Sequence, residues 1–235
     1  MFADLFRPAF VIPPPDKRTT IVGRTGSGKT QAGSFILANE NYDVMPWVIL
    51  DFKREALFAE IGEHVREISL TDRQSWQSIN QPGLYVVRPM IDQEDEVEEF
   101  LWFVWDHEHC GVFIDEGYMI GKSKAYIGLL TQGRSKLTPV ITLTQRPVFV
   151  TQFAFSEADY FMIFKLSKPE DRKRVQDFVD RPLDRRLPEH ESYWYDVNQD
   201  RLVILRPVPS REVIISTFRT RLEALNAKRP SKHFV

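Results

Sequence analysis

Thr19-Thr20-Ile21-Val22 runs directly into Gly23-Arg24-Thr25-Gly26-Ser27-Gly28-Lys29-Thr30, and a helical apolar pattern continues from Lys29 to Asn39. Strand, glycine-rich turn and helix follow in that order, and the turn fits G-x-x-x-x-G-K-[ST] at every fixed position. The glycines let backbone N–H groups wrap an anion at the helix N-terminus, where unpaired donors and the helix dipole already favour negative charge. In that arrangement Lys29 reaches the β- and γ-phosphates of a nucleotide such as ATP. The Thr30 hydroxyl becomes a candidate ligand for Mg2+, an ion that keeps several waters and takes few protein oxygens. Gly23 to Thr30, with the adjoining Gln31, are the candidate nucleotide-binding residues. The competing reading, a glycine-rich turn with an accidental lysine, leaves the flanking strand and helix without a reason.

Such a loop needs a second strand that ends in an acid, and Val112-Phe113-Ile114-Asp115-Glu116 supplies one. Asp115 is the candidate partner for Mg2+ and its waters. Glu116 is more informative: a carboxylate beside a γ-phosphate orients and deprotonates water, whereas a phosphotransferase must keep water out. The competing role for Glu116 is to cap the helix that follows. A third polar point, Gln145, ends the strand Val140-Ile141-Thr142-Leu143-Thr144 and precedes Arg146 and Pro147. At the carboxyl edge of a sheet it faces the phosphates and can bond both a water and a γ-phosphate oxygen.

Outward from these points the apolar period alternates between short β runs and helical stretches, the pattern of strands and helices around a mostly parallel sheet. Strands are expected at Thr19–Val22, Trp47–Asp51, Leu84–Val87, Val112–Asp115, Val140–Thr144 and Tyr160–Lys165. Helices are expected at Lys29–Asn39, Gln93–Asp106, Lys124–Gln132 and Pro169–Val179, the last with Ser167 as N-cap. A hairpin, Tyr193–Val197 and Leu202–Leu205 around Asn198–Asp200, then leads to a final helix near Thr217–Asn226. The fold class is α/β, with a mostly parallel central sheet, flanking helices and a C-terminal β-hairpin plus helix. Residues 1–18 are expected to form an arm, 19–185 the core, and 186–235 a hairpin, helix and basic tail of the same domain.

The 235 residues include 31 Lys and Arg against 33 Asp and Glu, so a nucleic-acid partner must be held by a local basic surface, not by overall charge. Residues 92–109 hold Asp92, Glu94, Asp95, Glu96, Glu98, Glu99, Asp106 and Glu108 with no Lys or Arg, which reads as the solvated face of a helix that buries Val97, Leu101 and Val104. The aromatic run Phe100, Trp102, Phe103 and Trp105 in the same helix covers several faces and reads as core, with some rings free to meet a neighbouring subunit. One cysteine, Cys110, excludes an intrachain disulfide and fits a reducing compartment. No apolar run approaches the roughly 18 residues that span a bilayer, and the patch Ala9–Ile12 is too short for a signal peptide, so a soluble chain is expected.

With Gly23–Thr30, Asp115-Glu116 and Thr144-Gln145-Arg146-Pro147 together, residues 19–180 resemble the HerA/FtsK superfamily of nucleic-acid pumping ATPases. Two further stretches agree. Val48-Ile49-Leu50-Asp51-Phe52-Lys53-Arg54-Glu55 resembles the family's strand plus "DPKGE" segment, although Phe52 and Arg54 stand where proline and glycine are usual. Gln132-Gly133-Arg134-Ser135-Lys136 resembles its "GR" turn. The resemblance implies a RecA-like P-loop NTPase core that hydrolyses Mg·ATP. It further implies a homo-oligomeric ring, a hexamer being the expected count, whose sites are split between copies.

Arg134 is then the first candidate for an arginine acting on the neighbour's γ-phosphate and Arg146 the second; the rival role for Arg134 is that of a cation at a helix C-terminus. The compact length resembles the single-domain genome-packaging ATPases of tectivirus-like, internal-membrane-containing phages. That likeness implies double-stranded DNA as partner, docking on capsid or membrane proteins at a packaging vertex, and a place in the host cytoplasm or on the virion. Candidate DNA contacts are Lys122, Lys124, Lys136, Arg219, Arg221, Lys228 and Arg229, each of which taken alone reads first as ordinary surface charge. A HerA-like repair or conjugation-type pump, a phage assembly or export ATPase, and a P-loop kinase stay open; Arg172, Lys173 and Arg174 are the only lid-like cluster for the last.

Overall fold

The computed structural model describes residues 13–14 and 16–228. Most of the expected N-terminal arm, including the Ala9–Ile12 patch, and the candidate DNA contact Arg229 lie outside the described residues.

In chain order the elements are β1 (Arg18–Val22), α1 (Lys29–Ala38), β2 (Trp47–Asp51), α2 (Ala56–Ile61), β3 (Arg66–Glu67), α3 (Arg73–Trp76), β4 (Leu84–Val87), α4 (Glu94–His107), β5 (Gly111–Asp115), α5 (Lys124–Gln132), β6 (Val140–Thr144), α6 (Phe153–Ser156), β7 (Tyr160–Ile163), α7 (Pro169–Gln176), β8 (Ser192–Asp196), β9 (Arg201–Leu205) and α8 (Arg211–Ala227). The strands form one nine-stranded sheet in the order β3-β4-β2-β5-β6-β1-β7-β8-β9. Pairings from β3 through β7 are parallel, and β7-β8-β9 closes the sheet antiparallel. This is the mostly parallel α/β architecture with a C-terminal hairpin and helix that the apolar pattern calls for.

Residues of each central strand alternate between two cores. Val48, Leu50, Val112 and Ile114 face a layer built by α4 and α5. Trp47, Ile49, Phe113, Ile141 and Leu143 face the layer of α1, α2 and α8. Because both faces are covered, these strands read as continuous apolar runs instead of alternating ones. On α4, Val97, Phe100, Leu101 and Val104 are buried while Glu94, Asp95 and Glu99 are exposed, as the amphipathic reading requires; Glu98 instead turns to the start of α5, its Oε1 accepting from the Ala125 N–H at 3.0 Å. Trp102 is partly exposed and meets Trp105 edge to face.

Several expectations need correction at element ends. The strand after Asp159 stops at Ile163, not Lys165, because Phe164 and Lys165 turn toward the glycine loop: the Phe164 N–H bonds the Val22 carbonyl and the Arg24 N–H bonds the Lys165 carbonyl. Lys168, not Ser167, occupies the N-cap position of α7, with Pro169 at its first turn, and α7 ends at Gln176. The last helix begins six residues earlier than Thr217: Ile214, Ile215 and Phe218 are buried against α1, so tertiary packing extends the helix through the polar Arg211-Glu212 start. The short helices α2, α3 and α6 were not individually placed, and the two-residue β3 was not expected.

Candidate active site

The parallel order places the ends of β1, β2, β5 and β6 side by side, and the polar residues that follow those strands share one edge of the sheet. The loop after β1 has the geometry for an anion. Gly28 sits at the N-cap of α1 with φ 95°, a left-handed conformation that costs glycine little. A Cβ on Gly23 would fall 2.5 Å from Ser27 Oγ and 2.7 Å from Phe164 Cβ, so only glycine lets the loop close against the turn after β7. Lys29 is buried, 5% of its side chain exposed, and its ammonium lies 3.3 Å from Glu116 Oε1. The Thr30 hydroxyl donates to Asp115 Oδ1 at 3.4 Å.

Asp115 and Glu116 are both fully buried. Among the described residues the other Asp115 oxygen, Oδ2, has no hydrogen-bond partner. Burial, reinforced by the Glu116 charge and only partly offset by Lys53 and Lys29, pushes the Asp115 carboxyl up to about 7. An orphaned buried carboxylate oxygen beside a threonine hydroxyl fits a hard divalent cation. Among the described residues no group of three or more His, Cys, Asp and Glu could hold a metal ion.

Glu116 takes a left-handed backbone, φ 71°, uncommon for a residue with a Cβ and costing on the order of 1–3 kcal/mol. Its side chain does not cap the turn that follows, which removes the competing role. Instead its Oε1 accepts from Lys53 and lies 3.3 Å from the Lys29 ammonium in an ion pair, and its Oε2 accepts from the Gln145 N–H at 3.3 Å. The Thr25 hydroxyl donates to the Gln145 side-chain oxygen, tying the tip of the glycine loop to the end of β6. Lys29, Thr30, Asp115, Glu116 and Gln145 are thus one connected set.

Lys53 is the residue that sequence reasoning quoted but gave no role. Burial works against its ammonium, but the hydrogen bond and charge of Glu116, with Asp115 and Glu55, prevail and hold its pKa above the ordinary lysine value. The signal was present in the Asp51-Phe52-Lys53-Arg54-Glu55 segment. Arg54 has φ 55°, the left-handed conformation in which glycine would be cheap, so the loop keeps its shape despite the substitution.

Other candidates lie elsewhere. The Gln31 amide donates to the Pro209 carbonyl at 2.7 Å, away from the phosphate loop. Arg24 stands 4.0 Å from Glu189, on a segment that brings His190 Nδ1 to 3.3 Å from the Ser27 carbonyl and encloses a cleft of about 380 Å³ beside the loop. Arg134 is not brought to the site of its own chain. It is 62% exposed, 3.8 Å from Asp16, at the amino-terminal edge of the sheet. Arg146 pairs with the buried Asp171 at 3.2 Å and lies over the Phe149 ring. Lys136 is held by Glu108 at 2.6 Å over the Trp105 ring, Arg219 donates to the Glu60 carbonyl, Arg221 to the Glu40 carbonyl at 3.1 Å, and Lys228 pairs with Asp43 at 2.8 Å. Lys122, on the loop after Glu116, and Lys124, the first residue of α5, are exposed. In the lid-like cluster, Arg172 donates to the Leu166 and Ser167 carbonyls and Arg174 lies over Phe155 and Phe178, while Lys173 is exposed, 3.9 Å from Asp177.

No known family profile matches the chain. Among solved structures it is similar to the genome packaging NTPase B204 of Sulfolobus turreted icosahedral virus 2 in complex with AMPPCP, with a TM-score of 0.67 at 20% identity over 83% of this chain and 100% of that one. It is also similar to VirB4 of Thermoanaerobacter pseudethanolicus, with a TM-score of 0.61 at 9% identity over 82% and 89% of the two chains. At such identities the likeness is one of fold. In sequence the chain is 37% identical over 219 residues to the DNA packaging ATPase P9 of Enterobacteria phage PRD1, covering 88% of this chain and 94% of that protein. A match of that strength along nearly the whole of both proteins shows that this chain belongs to the family of DNA packaging ATPases.

Proposed function

We propose that the chain hydrolyses Mg·ATP to drive double-stranded DNA into a preformed capsid, working as a homo-oligomeric ring. The observation that carries this reading is the fully buried Glu116 carboxylate, 3.3 Å from the ammonium of the phosphate-loop lysine. The N–H groups of Gly26 to Thr30 and the Lys29 ammonium hold the β- and γ-phosphates. Thr30 and Asp115 hold Mg2+, which supplies charge neutralisation on the phosphate oxygens. Glu116 accepts a proton from water as the water oxygen bonds to the γ-phosphorus and the bond to the β–γ bridging oxygen breaks, giving ADP and phosphate. Gln145, fixed between Thr25 and Glu116, orients that water.

Arg134 supports a split site: exposed at the edge opposite the phosphate loop, it reaches a γ-phosphate only in another copy of the chain. Arg146 remains second, since engaging a neighbour requires leaving Asp171. Turnover measured on mixtures of Arg134→Ala and Glu116→Gln chains is the test of the arginine. Rates that follow the simple average of the two variants would remove its role in trans.

For the whole reading, ATPase rate and native mass are measured with and without duplex DNA. The expected result is a DNA-stimulated rate in an assembled species and almost none for Glu116→Gln. A DNA-independent Glu116→Gln as active as the unaltered chain would overturn it. Against a kinase reading, Arg172 and Arg174 are engaged by the chain's own carbonyls and rings.

A further inference from the structure

We propose that neighbouring copies of the chain meet through a knob and a cleft: the turn Met90–Gln93 with the acidic start of α4 in one copy seats in the basic, apolar-floored cleft beside α7 of the next. The proposal rests on the chain working as a ring and names the surfaces that build it. The cleft holds about 400 Å³ between the turn after β7, α7 and the segment before β8. Leu166, Leu183 and Leu187 give it an apolar lining, and among the described residues no Asp or Glu borders it. Five cations do. Arg172 is engaged by the Leu166 and Ser167 carbonyls and Lys173 stands 3.9 Å from Asp177, whereas Lys165, Arg185 and Arg186 are exposed and among the described residues form no ion pair.

The complementary surface lies on the same molecule. Met90 and Ile91 adjoin on the loop after β4, 55% and 82% exposed, and of the large apolar side chains described Ile91 is the most exposed. Two hydrogen bonds stiffen the turn: the Met90 N–H donates to the Gln93 side-chain oxygen at 2.9 Å and the Gln93 N–H to the Met90 carbonyl at 3.1 Å. Asp92, Glu94 and Asp95 flank the apolar pair, exposed and, among the described residues, without an ion pair. Acids in the first turn of a helix answer to its dipole, which accounts for Glu94 and Asp95 but gives no reason to hold two large apolar side chains in water beside them.

The two surfaces stand too far apart to meet within one chain. Both follow parallel strands at the carboxyl-terminal edge, but β4 and β7 are five strand spacings apart in the sheet, ~24 Å. Two different, mutually complementary patches on one molecule make a head-to-tail contact, which closes into a ring where the rotation allows. An apolar tip between acids matches an apolar floor between cations, while cleft against cleft or knob against knob sets like charges together, so the charges also decide which surface meets which. The cleft shares Phe164, Lys165, Arg186 and Leu187 with the one beside the phosphate loop, so the seated copy borders that loop of its neighbour.

The experiment follows native mass against protein concentration for the full chain with Mg·ATP and duplex DNA present, and thermal melts report folding. Arg185→Glu/Arg186→Glu, which reverses the cleft, and Glu94→Arg/Asp95→Arg, which reverses the knob, should each need roughly 100-fold more protein to assemble, because each sets like charges face to face. Mixed in equal amounts, the two reversed chains should assemble together near the unaltered concentration, since each supplies the charge that the other lacks. Ile91→Ser alters a side chain already in water and should weaken assembly roughly tenfold without lowering the melting temperature. Either reversed chain assembling at the unaltered concentration overturns the contact and leaves the cleft to a different acidic partner. Reversed chains that melt as the unaltered chain does and stay apart when mixed overturn it as well. Should the reversed chains fail to fold, Ile91→Ser assembling at the unaltered concentration overturns the contact by itself. An unaltered chain that stays monomeric throughout would instead bring down the ring on which the contact stands.

Discussion

The two edges of the sheet treat buried charge in opposite ways. At the amino-terminal edge, Arg18 opens β1 and Asp159 precedes β7. The Arg18 guanidinium and N–H reach one Asp159 oxygen at 2.9–3.2 Å, Lys17 approaches the other at 3.5 Å, and a further Arg18 N–H bonds the Leu130 carbonyl. At the carboxyl-terminal edge, Asp115 keeps an unpartnered oxygen, Glu116 sits in a left-handed backbone, and two lysines converge on one carboxylate oxygen. Charges that are closed upon one another at one edge hold strands together. Charges left open at the other carry strain and an unmet demand for ligands, as functional sites do.

Substitutions at the two edges should therefore fail differently. The largest effect is expected for Glu116→Gln, which should lower kcat by about 10²–10⁴-fold while leaving nucleotide affinity nearly intact, as single-turnover and equilibrium binding measurements would show. A variant that lost affinity and kept its rate would erase the distinction between the edges. Asp159→Ala should act in the opposite sense, costing about 3–5 kcal/mol of folding stability in urea unfolding, because it strands a buried guanidinium, and shifting nucleotide affinity little. Gly23→Ala lies between these extremes. It should cost about 1–3 kcal/mol and weaken nucleotide binding together, since its new methyl group collides with Ser27 and Phe164 in the loop itself.

The smallest effect concerns a third kind of buried charge. Glu40, at the end of α1, is pushed up to about 7 by burial, against a weaker pull from Arg221. A carboxyl with a raised folded pKa contributes its full stability below its unfolded value and loses it as the pH rises through the folded one. Stability referred to this group should thus fall between pH about 4.5 and about 7. Glu40→Gln should be more stable than the unaltered chain by on the order of 1–2 kcal/mol at pH 8, with the advantage fading toward pH 4.5 in thermal melts. An advantage that did not depend on pH would assign the effect to packing.

How far the sequence carried the reading follows from the range of the interactions. Trp47–Asp51, Leu84–Val87, Val140–Thr144 and Lys124–Gln132 were legible to the residue, because strands buried on both faces and a helix packed on one leave dense local patterns. The two-residue β3 was not, since Arg66-Glu67 pairs at an edge and its side chains carry no apolar signal. The start of α8 was missed for a related reason: its first turn is polar, and only contact with α1 reveals that Ile214 and Ile215 belong to a buried stripe. In the site, Gly23–Thr30, Asp115, Glu116 and Gln145 could be proposed from their own neighbourhoods. The contact between Lys53 and Glu116 could not, being made across 63 positions of chain.

The sequence alone determined that an anion-wrapping turn follows the first strand and that an acid pair ends another, because glycine conformational freedom, strand burial and helix polarity are properties of consecutive residues. Only the tertiary structure decided which lysine holds Glu116, which arginines are already spoken for, and which carboxylate oxygen is left open. Those outcomes depend on the order and register of parallel strands, set by two cores that draw their side chains from the whole length of the chain.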